Sequence, residues 1–102
     1  MWLLIDDMRD SMGCDIVARN LEAGKKMLEV CDWECVCLDH DLGAGESGYD
    51  ILKWAFEKGR VPSHVQLVTN NPVGRKNMAN LLKDNGYNNK NGLDFFKVGV
   101  EK

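Results

Sequence analysis

The sequence has no excess of positive charge, no long apolar run and no paired cysteine motif, and each absence excludes a class of protein. Thirteen Lys and Arg against sixteen Asp and Glu leave a net charge near −3. That is not the broad basic face that duplex DNA requires, although a small local anion site is compatible with it. No apolar stretch approaches the roughly 18–20 residues needed to cross a bilayer, and MWLLIDD is too short, and lacks the basic flank, for a signal peptide. A cytoplasmic protein without membrane contact is expected. Cys14, Cys31, Cys35 and Cys37 lack C-x-x-C spacing and are expected to be reduced, buried small hydrophobes. A zinc set of Cys31, Cys35, Cys37 and His40 is disfavoured, because strand alternation sends His40 away from the face of Cys35 and Cys37.

What the chain does have is a folded composition, 44% hydrophobic and 28% charged over 102 residues, enough for one core. MWLLI at 1–5 is a strand buried on both faces, stopping at Asp6 and Asp7. DIVARN at 15–20 is a less apolar strand, expected near an edge. Asn20 caps a helix over 21–31, and residues 35–39 form the next apolar strand. Ser47 caps a helix carrying Ile51, Leu52 and Ala55 and ending at Gly59; HVQLVT at 64–69 is a strand. Asn71 with Pro72 opens a helix bearing Met78, Leu81 and Leu82 and stopped by Gly86. NGYNNKNG is expected as a surface loop and LDFFKVGV as the last strand. The alternation predicts an α/β fold with a mostly parallel five-stranded sheet covered on both faces, and such sheets bind ligands beyond the carboxyl ends of their strands.

That edge is where chemistry collects. Asp6 and Asp7 end the first strand, Asp39, His40 and Asp41 the third, and Thr69, Asn70 and Asn71 the fourth. Crowded carboxylates repel unless a cation or proton sits among them, and an oxygen set suits Mg²⁺ or Mn²⁺. Any one of these aspartates alone would read as a turn or helix cap. Arg75 and Lys76 occupy a helix first turn, where acids are the favoured charge. Basic residues there cost a little stability unless an anion is present, and Gly74 would let a phosphate approach the backbone. Arg9 would lean over the acids or pair with Asp7 or Asp10. His64 is expected to be structural, Tyr49 is a candidate ligand contact, and the scattered Trp and Phe residues form no base-stacking platform.

The acid pair, Asp39, the following SGYDIL and Thr69 resemble the receiver domains of response regulators. The resemblance implies Mg²⁺ on the acids, Asp39 as phosphoryl acceptor and Thr69 as its hydroxyl contact, with Lys97 in FFKVG a looser match to the family's lysine. The segment from Asp6 to Cys14 is too short and polar for the receiver's first helix, and Gly43 stands where receivers usually carry proline. LDHDLG, SGYDILKW, NPVGRKNM and a DD pair followed by Arg9 are closer to the receiver-like family described as cyclic-phosphate-processing, over roughly residues 2–80. That resemblance implies a small receiver-like (flavodoxin-like) three-layer domain lacking the first receiver helix. It also implies a metal-dependent phosphoesterase acting on a cyclic phosphate of a nucleotide, RNA end or ADP-ribose derivative. Asp6, Asp7 and Asp39 would hold the metal, and Asp39, His40 and Asp41 would be catalytic. Arg9, Thr69, Asn71, Gly74, Arg75 and Lys76 would bind substrate. A phosphoacceptor receiver, a non-catalytic binder of phosphorylated nucleotides and a purely structural interaction protein are the competing readings.

Overall fold

The computed structural model describes residues 1–99. Its elements are β1 (Trp2–Ile5), β2 (Ile16–Ala18), α1 (Leu21–Val30), β3 (Cys35–Leu38), α2 (Gly48–Lys58), β4 (His64–Leu67), α3 (Pro72–Asp84), β5 (Tyr87–Asn89) and β6 (Asp94–Lys97). They form one sheet in the order β2-β1-β3-β4-β6-β5. The first four strands in that order are parallel, whereas β6 runs antiparallel to both β4 and β5. Central β1 and β3 are buried on both faces, which is why they read as unbroken apolar runs.

The receiver-like α/β fold is present, with three differences from expectation. The sheet has six strands rather than five, because the supposed surface loop supplies β5. Tyr87 is buried there and donates its hydroxyl to Pro62 O at 2.6 Å. The true turn is shorter: Asn89 Oδ1 accepts from Gly92 N, and Asn91 Oδ1 accepts from Leu93 and Asp94 N. The sheet is mixed at this end, since a tight turn can only return the chain antiparallel.

Finally, among the described residues the helices cover one face of the sheet, not two. Leu28 of α1, Ile51 of α2 and Met78 of α3 share a core with Ile5, Val36 and Leu67. On the other face Leu4, Cys35 and Cys37 pack with Cys14, Trp2 and Val17. The chain from Asp6 to Asp15 holds no helix, as the missing receiver helix implied. His64 lies on this second face, stacked on Phe96 and bonded through Nε2 to Asp94 at 2.7 Å, a structural role as expected. No helix among the described residues is long and apolar enough to cross a membrane.

Candidate metal and phosphate site

Because β1, β3 and β4 are parallel neighbours, Asp6–Asp7, Asp39–Asp41 and Thr69–Asn71 leave the sheet on one edge. Asp6 is fully buried. Its Oδ1 accepts from the backbone N–H groups of Met8 and Arg9 at 2.9 and 3.0 Å, and its Oδ2 accepts from Arg9 Nη1 at 2.8 Å. Burial pushes this carboxyl up, but the bonds from Arg9 and Met8 outweigh it and leave it below its usual value. The same Arg9 nitrogen lies 3.5 Å from Asp39 Oδ2. Arg9 therefore sits between two buried carboxylates as an internal counter-charge. Arg19 steadies it by donating to the backbone carbonyls of Asp6 and Arg9. No sequence pattern marks Arg19, since it bonds main chain.

Asp39 is 8% exposed. Burial and the nearby Asp6 charge raise its carboxyl above the usual range, while bonds from His40 N and the Thr69 hydroxyl and the charge of Arg9 oppose that rise. Gly48, at the start of α2, is required here by space rather than by φ. A Cβ would stand 2.0 Å from Asp39 O, and its N–H donates to His40 O at 2.6 Å. The GES-G run after the acids thus closes α2 directly onto the end of β3.

His40 is placed by two neighbours, Asp41 and Gly74, which Asn71 links. Its Nδ1 is 3.3 Å from Asp41 Oδ1, and Asp41 Oδ2 accepts from Asn71 Nδ2 at 3.4 Å. Asn71 also caps α3, its Oδ1 accepting from Gly74 N at 3.0 Å. The imidazole lies against Gly74, where a Cβ would come within 2.3 Å of His40 Cγ. Gly74 is therefore the seat of the His40 ring, and the approach expected there for a phosphate is filled by imidazole.

The basic pair does not join the acids directly. Arg75 donates through Nη2 to Thr69 O at 2.7 Å and through Nη1 to Gly92 O at 3.3 Å, so its fork ties the end of β4 to the β5–β6 turn. Lys76 is exposed and lines a neighbouring cleft with Arg75. Tyr49 packs against the hydrophobic core. Lys97 is remote: β6 is antiparallel, its Lys97 N–H donates to Ser63 O at the amino end of β4, and its Nζ lies over the Tyr87 ring.

The cleft over the edge is about 330 Å³, lined by Arg9, Asp39, Asp41, Thr69, Asn70 and Asn71. Asp6, Asp7 and Asp39 each offer an oxygen within 4.8 Å of the others. A hard divalent cation fits that donor set, and the raised Asp39 carboxyl would be relieved by one. Asn70, which carries no motif signal of its own, lines both this cleft and the basic one beside it.

Residues 1–84 match the family model described as cyclic-phosphate processing receiver domain. Among solved structures, the chain is similar to the MaeR response regulator bound to beryllium trifluoride. The TM-score is 0.55 at 24% identity, over 76% of this chain and 74% of that one, a likeness of fold. No curated protein matches the sequence.

Proposed function

The chain belongs to the family of cyclic-phosphate processing receiver domains, and from that premise we propose that its acid edge opens the cyclic phosphate of a small nucleotide, an RNA end or an ADP-ribose derivative. The observation that carries this reading is His40, whose ring is held between Gly74 and Asp41 and whose backbone N–H bonds Asp39 of the carboxylate cluster. A phosphoacceptor site has no use for a positioned imidazole, whereas ester cleavage does.

In this reading Asp6, Asp7 and Asp39 hold Mg²⁺ or Mn²⁺, which when bound polarises a phosphoryl oxygen and lowers the pKa of a coordinated water. Arg9 and the Thr69 hydroxyl flank the phosphoryl group. A water oxygen bonds to phosphorus as one ring P–O bond breaks, and His40 Nε2 is the ring nitrogen free to move the proton that this exchange requires. Asp41 fixes the orientation of the imidazole through Nδ1.

The test is phosphorus NMR of adenosine 2′,3′-cyclic phosphate and ADP-ribose 1″,2″-cyclic phosphate with wild type, His40→Ala and Asp39→Asn, with and without Mg²⁺. Wild type is expected to convert a cyclic resonance to a monoester only with the cation. His40→Ala should slow this by about two to four orders of magnitude. Mg²⁺ at about tenfold above its Kd should stabilise wild type by about 1.4 kcal/mol and Asp39→Asn not at all. Unchanged resonances, together with labelling of Asp39 by acetyl phosphate, would replace this reading by the phosphoacceptor receiver. Binding without turnover would replace it by the nucleotide binder.

A further inference from the structure

A second cleft, of about 390 Å³, opens beside the acid edge between α3 and the β5–β6 turn, and its chemistry is the reverse of its neighbour's. Arg75, Lys76 and Lys83 line it and, among the described residues, no carboxylate does, in a chain whose net charge is −3. Lys76, Ala79 and Lys83 follow one another at i, i+3 and i+7 along α3, which sets them on one face of the helix. Phe95 gives the cleft a buried apolar surface and Asn89 a polar one. Among the described residues neither lysine takes part in a salt bridge. The volume lies within the roughly 300–1,000 Å³ of small-molecule sites. Asn70 lines both clefts, so a ligand can run from one to the other.

We propose that this cleft is a second anion subsite, built on Lys76 and Lys83, which takes a further phosphate of the same substrate while the cyclic phosphate lies over the acid edge. The inference rests on the function proposed above and narrows it: the preferred substrate carries at least two phosphate groups. The separation of charge explains how an acidic domain selects an anionic substrate. The carboxylate edge supplies the reacting groups, and the lysine cleft supplies the attraction. Arg75, fixed by its two carbonyl bonds, forms one rigid side of the lysine cleft.

Calorimetry would compare adenosine 2′,3′-cyclic phosphate, which has one phosphate, with two probes that have more. One is the adenylyl dinucleotide ending in the same cyclic phosphate, and the other is ADP-ribose 1″,2″-cyclic phosphate. Wild type should bind the preferred larger probe at least about tenfold tighter than the mononucleotide, the scale of one added charge-assisted hydrogen bond. Lys76→Gln with Lys83→Gln should bring that ratio close to one. Whichever larger probe shows the gain identifies an internucleotide phosphate or a diphosphate as the source. Asp39→Asn should weaken all probes by a common factor and so reports on the acid edge alone. A wild-type ratio near one, or a ratio indifferent to both lysine changes, would overturn the subsite. If no cyclic phosphate binds at all, the proposed function fails instead. Inorganic pyrophosphate titrated against ¹⁵N-labelled protein then decides the subsite by itself. Amide shifts at Lys76, Lys83, Asn89 and Gly92 that vanish in the double lysine variant support it, and their absence refutes it.

Discussion

Gly74→Ala should change sign with the residue at position 40. Gly74 is the third residue of α3, and a Cβ there would stand 2.3, 2.5 and 2.6 Å from three atoms of the His40 ring. The nearest atom is the root of a ring held to Asp41, so relief requires moving the whole imidazole. Forcing such an overlap costs about 1–3 kcal/mol. Against it stands the helix preference for Ala over Gly, about 0.5–1 kcal/mol. In wild type Gly74→Ala should therefore range from neutral to destabilising by about 2.5 kcal/mol. In a His40→Ala background the overlap is gone, and the same change should stabilise by about 0.5–1 kcal/mol. The coupling equals the overlap cost, about 1–3 kcal/mol, and each kcal/mol moves the melting temperature of a domain this size by about 4–8 °C. Four proteins, melted and unfolded in urea, close the cycle. A coupling below about 0.5 kcal/mol, the range of independent sites, would mean that His40 does not rest on α3, and the placement of the imidazole would have to be abandoned.

Two further outcomes separate neighbouring groups. Arg75→Glu should lower the urea midpoint, by about 1–3 kcal/mol of stability, because it removes the bonds to Thr69 O and Gly92 O. Lys76→Glu, one residue on, should be neutral or slightly stabilising by complementing the helix dipole, and equal losses for the two would refute the clamp. The Asp94 carboxyl is raised by burial but held below its usual value by bonds with His64, Gln66 and Asn91. Its stabilisation is therefore complete above about pH 4 and is lost as pH falls through the depressed folded value. Asp94→Asn should flatten the fall in urea midpoint between pH 5 and 2, and an unchanged slope would assign the acid sensitivity elsewhere.

The carboxyl-edge logic was legible because it needs only strand order and parallel direction, and both follow from apolar runs alternating with capped helices. Asn20, Ser47 and Asn71 each accept an N–H bond in the first turn of their helices, so those boundaries were written in local chemistry. The β5–β6 hairpin was not, since Asn-rich Tyr87–Asn89 is an edge strand whose only buried side chain is Tyr87. One-sided coverage of the sheet was hidden as well: Leu4, Cys35 and Cys37 are as apolar as the helix-facing residues, and sequence does not say what covers them. At the site, residue types that pointed to anion binding proved to have prior attachments. Arg75 is committed to two carbonyls and Gly74 to the His40 ring. A helix first turn shows which groups are present, not which neighbours have already claimed them.

The direction of β6 bears on which phosphate chemistry the edge can serve. A phosphoryl group on Asp39 would carry about −1.5 to −2 charges near neutrality, beside the buried Asp6 and the half-buried Asp7. Holding it would require more than one cation. Lys97, the looser match to the receiver lysine, is carried by antiparallel β6 to the amino end of β4 and rests over Tyr87. Arg75 is spent on backbone, and among the described residues Arg9 alone reaches Asp39, at 3.5 Å, while also holding Asp6. A cyclic phosphate diester brings a single negative charge, which one shared guanidinium and one divalent cation can balance. Ring opening then converts it to a monoester with up to twice that charge, among the carboxylates of Asp6, Asp7, Asp39 and Asp41. Under the proposed function, the same repulsion that makes a covalent phosphoryl group costly at this edge would favour release of such a product.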